Sequence, residues 1–65
     1  MDITEMLVRD FLAIREQNGE CTVGTSEVMD FVRKHNGNEH DISPAMVEAI
    51  GWVWKADRME QKTAE

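Results

Sequence analysis

The breaks in this chain limit it to three stretches long enough to form regular structure. Asn18-Gly19, Gly24 and Asn36-Gly37 interrupt the backbone, and Ser43-Pro44 reads as a helix start. No repeat and no low-complexity segment lies between them. Residues 3–17 predict a helix, because Ile3, Leu7, Phe11 and Ile14 recur at helical spacing and lay one apolar stripe. Met6 and Leu12 widen it. Asp2 stands at the N-cap position with Glu5 as a capping-box partner, and Asn18-Gly19 supplies a left-handed stop.

The next residues, 20–23, alternate in polarity but find no second strand in the sequence to pair with. They read as an extended loop that tucks Cys21 or Val23 against the core, Cys21 serving as a small buried hydrophobe. A second helix follows over about residues 26–35, starting at Thr25 or Ser26 and burying Val28, Met29, Phe31 and Val32. Arg33, Lys34 and His35 in its last turn suit the negative end of the helix dipole.

The third stretch reads as one long helix over residues 44–60, about 25 Å at about 1.5 Å per residue. Its apolar residues do not keep to one side. Met46, Ala49, Ile50 and Val53 form one face, widened by Val47 and Trp54, while Ala45, Trp52, Ala56 and Met59 form another. Two short helices cover one side and leave the other open. The expected architecture is therefore an all-α, three-helix domain over residues 1–65, assembled as a homo-oligomer. Its expected interface is Ala45, Trp52, Ala56, Met59 and Trp54, with Gly51 letting a second backbone come close.

Composition narrows the function. A chain of 65 residues has a small core, and one cysteine allows no internal disulfide. Thirteen acidic against seven basic side chains give a net charge of −6, which on average repels nucleic acid and anionic membrane. Asp2 and Glu5 stand where a secretory leader needs positive charge. The apolar-rich stretch 45–56 is broken by Glu48 and Lys55 and is short for a bilayer. A soluble, cytoplasmic protein is expected. Cys21, His35, Glu39, His40 and Asp41 lack the paired spacing of a metal site. No phosphate loop and no nucleophile beside a base occurs, so no enzyme, metal or cofactor is expected.

The segment 53–59, Val-Trp-Lys-Ala-Asp-Arg-Met, resembles the third helix of homeodomains, within the tri-helical helix-turn-helix class. That resemblance implies a base-reading position for Lys55 and a backbone-contacting one for Arg58, with Lys62 on the same helical face. Ala56 stands where the family reads adenine with asparagine, and Asp57 where it is basic. Two functions follow as expectations. One is a small acidic regulatory or adaptor protein acting through a protein partner, of the kind common among bacteriophage and plasmid accessory genes. The other is a dimeric helix-turn-helix DNA-binding transcriptional regulator using Lys55, Arg58 and Lys62.

Overall fold

The computed structural model describes residues 2–62. Its elements run α1 (Ile3–Gln17), β1 (Thr22–Gly24), α2 (Thr25–Lys34), a short 3-10 turn (Glu39–Asp41), α3 (Pro44–Ile50), β2 (Trp52–Lys55) and β3 (Arg58–Gln61). The strands form one antiparallel sheet in the order β1-β3-β2. The all-α expectation is thereby corrected: the fold is mixed, three helices and a three-stranded sheet.

The expected third helix ends after two turns, and the reason lies at Gly51. Ser43 Oγ accepts from the Met46 amide at 3.2 Å and Pro44 occupies the first turn, so the helix starts where the sequence says. Gly51 then adopts φ +102°, the left-handed conformation that closes a helix and that residues with a Cβ resist. Nothing lies within 4 Å of where its Cβ would be. Its role in this fold is conformational.

Beyond Gly51 the pattern changes from helical to period two. Trp52 and Trp54 face inward, and Val53 and Lys55 outward. A two-residue turn, Ala56-Asp57, reverses the chain, and β3 returns with Trp54 opposite Met59 and Lys55 opposite Arg58. β1 pairs with the other edge of β3, Val23 opposite Met59. The strand that residues 20–23 lacked in sequence thus lies some thirty-five positions downstream, by the register Thr22↔Glu60, Val23↔Met59 and Gly24↔Arg58. Cys21 is exposed and Val23 is buried, so only the second fills the core position foreseen for either.

The core lies between the helices and the inner face of the sheet. α1 contributes Val8, Phe11 and Leu12, α2 Val28 and Val32, and α3 Val47, against Trp52, Met59 and Val23 from the strands. Trp52 is 1% exposed and Met59 fully buried. On α1 the inward residues are Thr4, Val8, Phe11 and Leu12, a face that keeps Phe11 and Leu12 from the stripe read in the sequence but is rotated toward Thr4 and Val8. Ile3, Met6 and Ile14 consequently remain about half exposed.

Both long helices end in Schellman geometry. After α1 the Glu20 amide donates to the Arg15 carbonyl and Gly19 to Glu16, with Gly19 at φ +82°. After α2 the Gly37 amide donates to Val32 at 2.8 Å and Asn36 to Arg33, with Asn36 left-handed at φ +69°. Gly37 sits in a tight place, because an added Cβ would lie 2.6 Å from Val32 Cγ1 and 2.8 Å from Leu7 Cδ1. Beside it, the buried Thr4 hydroxyl accepts from the Asn38 amide at 3.0 Å and fastens α1 to the loop after α2.

Three substitutions test this packing. Trp52→Ala should remove about 3–5 kcal/mol from the unfolding free energy. Ile14→Ala should stay within about 0.5 kcal/mol. Urea titration followed by circular dichroism measures both, and comparable losses at the two positions would contradict the placement of the core. Gly37→Ala should cost about 1–3 kcal/mol through overpacking against Val32 and Leu7, read as a lower urea midpoint at unchanged slope.

Candidate interaction surface

The residues expected to form an interface are scattered by the fold. Ala45 is exposed on α3 and Ala56 is exposed in the hairpin turn, while Trp52 and Met59 are core residues. Trp54 is half-buried against the core, and its indole N–H donates to Thr25 Oγ1 at 3.1 Å. Trp52 and Met59 therefore cannot serve as contact residues. The greasy circumference that suggested an open face belongs to a hairpin, whose inner side is already covered by helices.

The exposed apolar surface lies on α1 instead. At 3.6 residues per turn, Ile3, Met6, Ala13 and Ile14 fall within about one third of the helix circumference, while Leu7 at the edge of that sector packs against the core. Ile3, Met6 and Ile14 are 50%, 46% and 54% exposed. Exposed side chains of this size are unremarkable singly, but these three share one stripe. The sequence signal was present, since Ile3, Met6, Leu7 and Ile14 were read as apolar at helical spacing. The reading placed that stripe in the core because nothing in the sequence showed that Thr4 and Val8 would be preferred there.

Where α1 meets α2 the stripe borders a groove. Phe11 and Phe31 pack with ring centroids 4.8 Å apart, and His35 lies 4.4 Å from Phe31. The two phenylalanines floor a cavity of about 270 Å³ rimmed by Arg15, Glu27, Asp30 and Lys34. Arg15 covers the Phe11 ring at 4.8 Å and reaches Glu20 at 3.2 Å and Glu27 at 3.6 Å, which holds the rim in place. Asp10 stands within the apolar stripe, and Glu16 lies on its flank. Neither forms an ion pair among the described residues, whereas Arg9 on the same flank is engaged by Glu5 at 3.7 Å.

The basic residues singled out in the sequence gather on the outer face of the sheet. Lys55 and Arg58 are cross-strand partners beside the hairpin turn, and Lys62 continues β3, its amide donating to the Gly51 carbonyl at 3.0 Å. They share a face of a sheet, not of a helix. Glu60 lies among them, bonded by Arg58 and 3.3 Å from Lys55. These contacts hold its carboxyl below the ordinary glutamate range, the Arg58 hydrogen bond contributing most and the Lys55 bond next. Arg58 is raised in turn, chiefly by its hydrogen bond to Glu60. The exposed positions of α3 are Pro44, Ala45, Glu48 and Ala49, which include no cation.

Among the described residues no group of three or more His, Cys, Asp or Glu side chains is placed to hold a metal ion. No helix there is long and apolar enough to cross a membrane. No family model, curated protein or solved structure matches the chain.

The hairpin ion pairs set a pH dependence. A carboxyl whose pKa is depressed in the folded state adds stability above its unfolded pKa and loses it as pH falls through the folded value. Glu60 should thus support the hairpin at neutral pH and cease to do so in the acid range below that of an ordinary glutamate. Urea midpoints of the parent and Glu60→Gln should differ at pH 7 and converge in acid. The difference should be small, since the pair is exposed to solvent.

Proposed function

We propose that this chain is a small regulatory or adaptor protein that acts through protein–protein contacts, made by the outward side of α1. The exposed Ile3–Met6–Ile14 stripe carries this reading. It is apolar surface that the small core does not use, three large side chains on one side of a helix, and exposed apolar patches mark association sites. The groove floored by Phe11 and Phe31 continues it, and aromatic floors are where interfaces concentrate binding energy. The partner meets a prearranged surface, because Arg15 is tied on both sides by carboxylates and α1 is closed at its end by a Schellman cap.

A second reading, a dimeric helix-turn-helix DNA-binding regulator, draws support from the order of elements. Three helices followed by a hairpin make a winged version of the tri-helical arrangement, with α3 as the groove-facing helix and Lys55, Arg58 and Lys62 on the hairpin as phosphate contacts. Charge weighs against it. α3 offers Glu48 and no cation to a duplex, Glu60 occupies Lys55 and Arg58, and the net charge is −6.

Affinity capture from the native host should recover a partner with the parent chain and lose it with Met6→Asp combined with Ile14→Asp. The same partner on both would sink the assignment of the surface. On the second reading, duplex affinity should fall with salt on a log–log slope of about three for three phosphate contacts. Lys55→Glu with Arg58→Glu should then abolish it. Absence of duplex binding at low salt would remove this reading.

A further inference from the structure

The stripe on α1 is not neutral, and its charge pattern selects among occupants. Resting on the protein-contact reading above, we infer that the outward face of α1 receives a basic amphipathic helix of a different protein, with a cation set against Asp10. α1 runs from Ile3 to Gln17, so Asp10 lies at its midpoint and within the apolar stripe. In a twofold antiparallel pairing of two copies with full overlap, Asp10 would face the partner copy's Asp10. Two carboxylates would then be drawn together out of water, in an apolar contact, with the nearby Arg9 engaged by Glu5. Each copy also brings a net charge of −6. Self-association through this face is thus opposed by the residue at its centre, and the same residue favours a lysine or arginine.

The shape agrees with a helical occupant. Ile3 to Ile14 spans about 16 Å along the axis at about 1.5 Å per residue, which a three-turn amphipathic helix covers. Apolar side chains spaced three and four apart would lie on Ile3, Met6 and Ile14, and a large one would enter the groove over Phe11 and Phe31. A basic residue within its apolar face would meet Asp10, and one along its margin would meet Glu16. Such a contact falls in the small, transient class, below about 1,200 Å² of buried surface. That suits a regulatory encounter steered by charge.

The test uses the whole chain, isotope-labelled, titrated with a synthetic amphipathic helix of leucine and lysine and with its leucine–glutamate counterpart. Amide shifts should gather on Ile3–Gln17 and around Phe31, with the lysine peptide bound at least about tenfold more tightly. Asp10→Arg should reverse that preference. Met6→Asp and Ile14→Asp should abolish binding at an unchanged urea midpoint, which separates contact from folding. Equal binding of both peptides, or lysine-peptide shifts spread over the acidic surface and unaffected by Met6→Asp, overturns the charge assignment while leaving α1 open to other partners. Sedimentation of the unliganded chain as a dimer that Met6→Asp dissociates overturns it in favour of a second copy. No shift on α1 with either peptide, from a chain that sediments as a monomer, overturns the inference and removes the support for α1 as a contact surface.

Discussion

Covering the inner face of the β2–β3 hairpin is the constraint on which the rest of this structure depends. Trp52 and Met59 lie diagonally across the two strands on that face, both almost wholly enclosed, and every helix contributes to the enclosure. An isolated two-stranded ribbon is marginal in water. Here β1 adds a third strand and the three helices supply the apolar cover, so the hairpin and the helices stabilise one another. Aromatic side chains bring a large buried area per residue, which matters in a domain with so little interior.

Polar ties fix how the cover is seated. The Thr25 amide donates to the Asp57 carbonyl at 2.9 Å, and the Thr25 hydroxyl accepts from the Trp54 indole. The first residue of α2 is thereby joined to the turn and the inner face of the hairpin. At the opposite end, the Thr4 hydroxyl takes the Asn38 amide. No buried side-chain nitrogen or oxygen among the described residues lacks a hydrogen-bond partner. Leaving such a group unpaired costs about 1–3 kcal/mol, so these two threonines do structural work that their composition class does not advertise.

This division explains what could be read from the sequence. The bounds of α1 were legible because Asn18-Gly19 stops it, and the start of α3 because Ser43 and Pro44 are strong local signals. The hairpin was not. Its turn, Ala56-Asp57, uses none of the Asn-Gly or Asp-Gly pairs that mark tight hairpins. Neither residue has a positive φ. Trp, Val, Lys, Ala and Met are also tolerated in helices, and Trp52, Ala56 and Met59 fall on one helical face, so the segment also reads at a helical period. Gly51 held the decisive information, since a glycine after two turns of helix is an ordinary stop. The exposed stripe on α1 was visible as a set of apolar residues and invisible as a surface. Whether Ile3 or Thr4 turns inward depends on the hydroxyl's bond to Asn38, a long-range contact that no local pattern encodes.

The sheet order β1-β3-β2 sets the timetable of folding. Its middle strand, Arg58–Gln61, is the last of the three to leave a ribosome, and both neighbours find their ladder partners only there. A nascent chain that has emerged through α3 holds three amphipathic helices but lacks the sheet face that completes their core. Pairing of Thr22–Gly24 must then bridge about half of the polypeptide, an ordering step of high sequence separation that comes late by its nature. Loss of the final strand would dissolve the sheet from its centre, so a shortened product would have no smaller version of this architecture to adopt.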